Sequence, residues 1–109
     1  MGLLIYGNHE FNFDDRVLTH LKLAVGQKLT RQESFFLSWV KPLEEGSGRV
    51  SIWVSPYVAM VFRFAGSRQP QVNEAWVRAM VSLANTPRGL VVLTEAEAEK
   101  LIKQGLPLR

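Results

Sequence analysis

The sequence predicts an α+β fold in which an antiparallel sheet packs against two main helices and a C-terminal helix. Three observations lead to this prediction. Several short segments alternate apolar and polar residues, which is typical of half-buried strands. Two longer segments repeat apolar residues every three or four positions, which is typical of amphipathic helices. A capping box, Thr94 with Glu97, precedes a last short helical segment.

The first 30 residues predict a hairpin followed by a helix. The apolar run Leu3–Tyr6 is followed by a turn at Gly7–His9 and then by an alternating segment over residues 10–13. Asp14 and Asp15 are typical capping residues, and their negative charge suits a helix N-terminus. Beyond them, apolar residues recur at helical spacing and predict one buried stripe: Val17, Leu18, Leu21, Ala24, Val25 and Leu29.

The middle of the chain predicts a three-stranded meander. Its strands are Phe35–Val40, Arg49–Val54 and Ala59–Ala65. Pro42 ends the first strand because proline cannot donate a ladder hydrogen bond. A glycine-rich turn over residues 44–48 connects the first two strands, and a Ser-Pro break precedes the third.

The last third predicts two helices around one short strand. The loop 66–70 leads to a helix capped by Asn73, and the turn after it leads to the late strand Leu90–Leu93. The C-terminal helix that follows is expected to stop at Gly105. A chain of 109 residues has room for one domain, which we assign to residues 1–109, with 94–109 as C-terminal helix and tail.

Alternation divides the meander into two faces. One face is uniformly apolar and is expected under the helices: Phe35, Leu37, Trp39, Val50, Ile52, Val54, Met60, Phe62 and Phe64. The other face combines two aromatic residues and two arginines with small residues. We take Phe36, Arg49, Trp53 and Arg63 as the candidate binding face.

Three interpretations of this mixed face remain open. A helix or the N-terminal hairpin could cover it as a second core layer. It could be a protein interface, where tryptophan and arginine are enriched as anchors. It could also bind single-stranded nucleic acid, with bases stacked on the aromatic rings and arginine on phosphate.

The excess positive charge lies in the central part of the chain, where composition alone favours solvated surface charge over a site for an anionic partner. The net charge is +3, and residues 46–93 hold five arginines against one carboxylate. Arginine makes forked contacts with phosphate or carboxylate. Arg68, in the loop before a helix N-terminus, and Arg88 are therefore candidate anion contacts.

The sequence offers no catalytic constellation. The chain has no cysteine and two histidines, and His9 with its acidic neighbours matches no standard metal-ligand spacing. We therefore expect no cofactor, no metal and no enzymatic activity. No signal peptide or membrane-spanning run is present, which predicts a cytoplasmic protein without a membrane partner.

One combination of short motifs is characteristic as a set and covers about residues 1–93. In order, the motifs are Leu4-Ile5-Tyr6-Gly7, Phe13-Asp14-Asp15-Arg16, Leu18, His20-Leu21, Glu33-Ser34-Phe35, Ser38-Trp39, Gly48-Arg49, Ile52-Trp53, Phe64, Gly66-Ser67-Arg68, Asn73, Trp76, Ala84-Asn85 and Gly89-Leu90. The set resembles a family of actinobacterial proteins of roughly 100 residues. That family has no settled function, and its members are often catalogued as ATP-dependent DNA ligases.

The ligase label has no support in this sequence. Such ligases attach adenylate to the lysine of a Lys-x-Asp-Gly motif, and none of the lysines here lies in one: Lys22, Lys28, Lys41, Lys100 and Lys103. The resemblance implies no catalytic residues and at most a DNA context. We therefore expect a non-enzymatic interaction module that binds a protein partner or itself through the Trp53 face. The alternative is a DNA-binding protein that uses Arg49, Arg63, Arg68 and Arg88.

Overall fold

The structure, a computed structural model, describes residues 1–105. It contains these elements in chain order: β1 (Gly2–Tyr6), β2 (His9–Phe13), α1 (Asp15–Thr30), β3 (Phe35–Val40), a 3₁₀ turn (Leu43–Glu45), β4 (Arg49–Val54), β5 (Met60–Arg63), α2 (Glu74–Ala84), β6 (Leu90–Val91) and α3 (Glu95–Lys103). The α+β class is confirmed. The part of the predicted tail beyond residue 105 lies outside the described residues. None of the described helices is long and apolar enough to cross a membrane.

All three helices begin at the residues that the sequence predicts. The Asp14 carboxylate accepts the backbone N–H of Arg16 at 3.1 Å. The Asn73 side chain accepts the N–H groups of the first turn of α2. Thr94 and Glu97 form the complete capping box of α3. Each cap satisfies donors that the first turn of a helix otherwise leaves without partners.

The strands form two sheets, and the predicted single meander is therefore wrong. The first sheet has the order β2-β1-β5 and the second has the order β4-β3-β6. β3 and β4 pair as predicted, with Phe35 opposite Val54 and Val40 opposite Arg49. β5 instead pairs antiparallel with β1, where Leu4 lies opposite Phe62.

The side chain of Tyr6 explains why β5 does not continue the meander. The Tyr6 hydroxyl donates to the backbone oxygen of Trp53 at 2.9 Å and accepts the N–H of Ser55 at 2.9 Å. These two groups lie where β4 ends, on the side that a third meander strand would need. β1, in contrast, offers β5 a complete four-residue ladder. Alternation predicts the face of a side chain but not the strand that pairs with it.

The late strand is shorter than predicted and pairs parallel with β3, so the second sheet is not purely antiparallel. Leu90 lies opposite Leu37, and the Val92 N–H donates to the Ser38 oxygen at 2.9 Å. A parallel neighbour requires a crossover connection, which α2 supplies. Gly89 enters this strand with φ +79°, and a Cβ there would lie 2.7 Å from the carbonyl oxygen of Phe36. Only glycine lets the two backbones approach this closely.

The core lies between the inner faces of both sheets and the helices. Its buried side chains include Leu4, Leu18, Leu21, Leu37, Trp39, Val54, Trp76, Met80 and Leu90. The nine residues predicted for the apolar face are all buried or partly buried in this core. That prediction is confirmed, although the residues come from two sheets.

Candidate functional site

The outward side of β3 and β4 carries the residues Phe36, Ser38, Val40, Arg49, Ser51 and Trp53, which we call the outer face. Phe36 is 48% exposed, Trp53 is 54% exposed and Val40 is 70% exposed. No described element covers them. The interpretation of this face as a second core layer, covered by a helix or the hairpin, is therefore wrong.

The outer face is organised around one aromatic pair. Phe36 and Trp53 are directly opposite across the strands, and their rings meet edge to face with centroids 4.9 Å apart. Below this pair the Ser38 and Ser51 hydroxyls are hydrogen-bonded at 2.9 Å. Arg49 lies opposite Val40 at the far end. The cross-strand contacts give the aromatic pair a fixed geometry while leaving large apolar surface in solvent.

Arg63 does not belong to this face, and its predicted place beside Arg49 and Trp53 is wrong. It lies on β5 in the first sheet, opposite Leu3 of β1. The reason is the changed partner of β5: residues that alternate in phase share a face only when their strands share a sheet. Arg63 is exposed there and carries no ion pair within residues 1–105.

The two candidate anion contacts lie in separate loops. Arg88 is exposed in the turn before Gly89, whose backbone lies against Phe36. Arg68 is exposed in the loop before α2 and borders a small cavity together with Lys22. The four arginines at positions 49, 63, 68 and 88 are thus distributed over two sheets and two loops.

The loop that contains Arg68 already binds an anion, namely a carboxylate of the chain itself. Asp15 accepts the N–H of Gly66 at 2.9 Å and that of Ala65 at 3.1 Å. These two backbone hydrogen bonds hold the pKa of Asp15 below its usual range. At the helix that follows, the N–H of Asn73 donates to Nε2 of His20 at 2.8 Å. The N–H groups of Ala65, Gly66 and Asn73 therefore already have partners within the chain.

A second polar cluster, which we call the helix junction, comprises Arg16, His20, Asn73, Trp76 and Glu95. It joins the N-terminal ends of the three helices. The Arg16 guanidinium binds both oxygens of Glu95, at 3.1 and 2.7 Å. Asn73 Nδ2 donates to the same carboxylate at 2.7 Å. These contacts lower the pKa of Glu95 to about 2, chiefly through the hydrogen bond from Arg16.

His20 and Trp76 form the buried floor of the helix junction. Their rings stack with centroids 4.3 Å apart, and the Trp76 indole N–H donates to the Leu93 oxygen at 2.9 Å. Since Nε2 of His20 accepts a hydrogen bond, its Nδ1 carries the proton and donates to the Arg16 oxygen at 2.7 Å. Both ring nitrogens of His20 therefore have partners: Nδ1 bonds within α1, and Nε2 links α1 to the N-terminus of α2.

The helix junction was not found from the sequence as a unit. The sequence predicts Asn73 as a helix cap. Arg16 and Glu95 are 79 residues apart, and no local sequence pattern connects them. Within residues 1–105, no three histidine or acidic side chains are grouped to hold a metal ion. His9 lies exposed on β2 and stacks on Phe11.

Comparison with known proteins adds one result. No curated protein and no solved structure matches the chain. A family model does match, over residues 1–95, and it describes a domain of unknown function, DUF7882. Because this match covers most of the 109 residues, the protein belongs to the DUF7882 family.

Proposed function

We propose that this protein is a non-enzymatic interaction module of the cytoplasm that binds a protein partner, or a second copy of itself, through the outer face of β3 and β4. The observation that carries the proposal is the exposed Phe36–Trp53 pair, held edge to face on the outer face of the sheet, which no described element covers. Exposed tryptophan with arginine nearby is typical of interface anchors. A patch of exposed apolar surface does not contribute to the core of a monomer and is typical of an interaction site.

The two kinds of partner require two measurements on the same variants. Self-association is measured by sedimentation equilibrium over a range of protein concentrations. Binding to another protein is measured by placing a photo-crosslinking phenylalanine analogue at position 36 in producing cells and identifying the adducts. We expect Trp53→Ala to abolish whichever association the wild type shows. Val61→Ala, an exposed apolar residue on β5 of the other sheet, is the matched control.

The proposal fails if folded Trp53→Ala retains both its assembly and its adducts. It also fails if the wild type forms neither. Circular dichroism of each variant separates loss of binding from loss of fold.

Nucleic-acid binding is the second candidate, and one observation favours it. Within the described residues, Arg49, Arg63, Arg68 and Arg88 are all exposed and have no ion pair, so their charge is available to phosphate. The test is a titration with single- and double-stranded DNA at two salt concentrations. Phosphate-driven binding weakens steeply with salt, and each arginine removed should lower the logarithmic slope by about one. Undetectable binding at low salt excludes this candidate.

A further inference from the structure

An open groove runs between α1, α2 and the edge strand β5, on the side of the molecule formed by the helices. Its volume is about 970 Å³, within the range of small-molecule sites. Its apolar lining includes Val25, Leu29, Met60, Phe62, Val72 and Val81. Most of these side chains are only partly buried, so the chain leaves this part of its core accessible.

Gly26 forms part of the groove wall in the middle of α1. Glycine destabilises the interior of a helix relative to alanine. A Cβ at this position would meet no atom within 4 Å, so nothing in the described chain requires its absence. The missing side chain does have one effect: it lets another molecule lie directly against the backbone of α1.

Cations dominate the rim of this α1–α2 groove. Lys22, Arg31 and Arg78 line it, against the single carboxylate of Glu74. Lys22 and Leu23 also line a second cavity of about 200 Å³, which continues towards the loop 66–70. Arg68 lines this second cavity as well, and Lys22 Nζ lies 5.9 Å from the centroid of the Phe64 ring. Neither cation has an ion pair within residues 1–105. The apolar groove therefore ends at a pair of unneutralised cations.

We propose that the α1–α2 groove binds a single-chain amphiphile with an anionic headgroup. The headgroup, a carboxylate or a phosphate, contacts Lys22 and Arg68, and the acyl chain lies along α1 past Gly26 onto Met60 and Phe62. The apolar lining stabilises the chain through burial of its methylenes. The cations select a charged headgroup over a neutral one. This site is separate from the outer face and does not depend on the proposed interaction there.

Isothermal titration calorimetry with decanoate, laurate and myristate, each below its micelle concentration, tests the proposal. We expect about fourfold tighter binding for each added methylene. Dodecanol, which has the laurate chain without its charge, should bind more weakly. Lauroyl lysophosphatidic acid distinguishes the headgroups: tighter binding than laurate assigns the cation pair to phosphate, and weaker binding assigns it to carboxylate.

Two variants test the apolar groove and its cationic end separately. Gly26→Leu fills the groove, so laurate affinity should fall at least tenfold while thermal stability is kept or raised, since leucine favours helix. Ala96→Leu, at an exposed position of α3, is the matched control and should bind normally. Lys22→Glu should weaken laurate but leave dodecanol unchanged.

Three results would overturn the proposal. The first is undetectable laurate binding by the wild type. The second is affinity that does not depend on chain length. The third is unchanged laurate affinity in folded Gly26→Leu. Tight binding of an acidic amphipathic peptide in place of laurate would assign the groove to a protein ligand instead. None of these results bears on the outer face, which Trp53→Ala tests independently.

Discussion

The helix junction and the outer face both combine a tryptophan with an arginine. In the junction these residues hold the fold together, whereas on the outer face they are exposed. In the junction, Trp76 is buried, its indole N–H has a partner, and the Arg16 guanidinium lies 5.7 Å from its ring and binds Glu95. On the outer face, Trp53 is half exposed and Arg49 has no ion pair within the described residues. A buried tryptophan whose indole N–H has a partner stabilises the fold. A half-exposed tryptophan has ring surface left over for a partner. The predictions below test whether this division is real.

The largest expected effect is that of Trp76→Ala. The substitution removes a nearly fully buried ring from the junction, where it stacks on His20. Large aromatic truncations in cores destabilise by about 3–5 kcal/mol, which is a large share of the stability of a small domain. Urea denaturation measures the change. A loss below about 1 kcal/mol would contradict the structural role.

Gly89→Ala is expected to cause the second-largest loss of stability. The backbone beneath the outer face is tightly constrained even though its side chains are free, because an added Cβ would meet the Phe36 backbone. Left-handed backbone and this clash together predict a loss of about 1–3 kcal/mol. Gly7→Ala is the matched control, since it shares a positive φ but has open space around its Cβ. Equal losses in urea denaturation of the two variants would show that the close approach to Phe36 is unimportant.

Glu95→Gln should have a smaller and pH-dependent effect. The pKa of this carboxyl falls from 4.5 to about 2 in the folded protein, so the carboxylate stabilises the fold above about pH 4.5. That contribution is lost as the pH falls towards 2. The melting temperature of the wild type should therefore exceed that of Glu95→Gln near neutral pH, and the two should converge towards pH 2.

Calorimetric melting at a series of pH values checks this prediction. Asp15 and Glu33, whose pKa values are also lowered, are present in both proteins and cancel in the comparison. Glu99→Gln is the control for a change of charge on the same helix. A difference that does not vary with pH would show that the ion pair with Arg16 is not its source.

The smallest expected effect on stability is that of Trp53→Ala. The substitution removes one edge-to-face contact with Phe36, worth about 0.5–1.5 kcal/mol, and it removes less buried surface than Trp76→Ala because Trp53 is 54% exposed. Urea denaturation should therefore separate it clearly from Trp76→Ala. A loss comparable with that of Trp76→Ala would mean that the outer face is structural, and the proposed function would lose its basis.

The sequence predicts local structure well and strand partners poorly. Caps at Asp14, Asn73 and Thr94 are chemical signals confined to one turn, and alternation fixes the face of each side chain. The pairing of β5 with β1 instead depends on contacts between residues far apart in the chain. Tyr6 illustrates this: nothing near position 6 indicates that its hydroxyl bonds to the backbone at Trp53 and Ser55.

In the candidate site, too, the sequence predicts contacts within one hairpin but not contacts between distant segments. Phe36 and Trp53 were placed together correctly because they lie on neighbouring strands of one hairpin. The sequence predicts the wrong place for Arg63 because that prediction depends on β5 being the third strand of the meander. The α1–α2 groove has no local signal at all, since its walls come from two helices and a strand that only the tertiary structure brings together.

The Tyr6 hydroxyl also limits how copies of this protein can assemble. β4 is an edge strand, and exposed edges invite edge-to-edge growth of sheets into fibrils. The hydroxyl occupies the backbone groups of Trp53 and Ser55, where an incoming strand would add to that edge. In the proposed self-association, contact would then be made through the side chains of Phe36 and Trp53, and contact through a single face closes after two molecules. The proposed self-association would therefore end at a dimer, and strand addition next to Trp53 would first have to displace the Tyr6 hydroxyl.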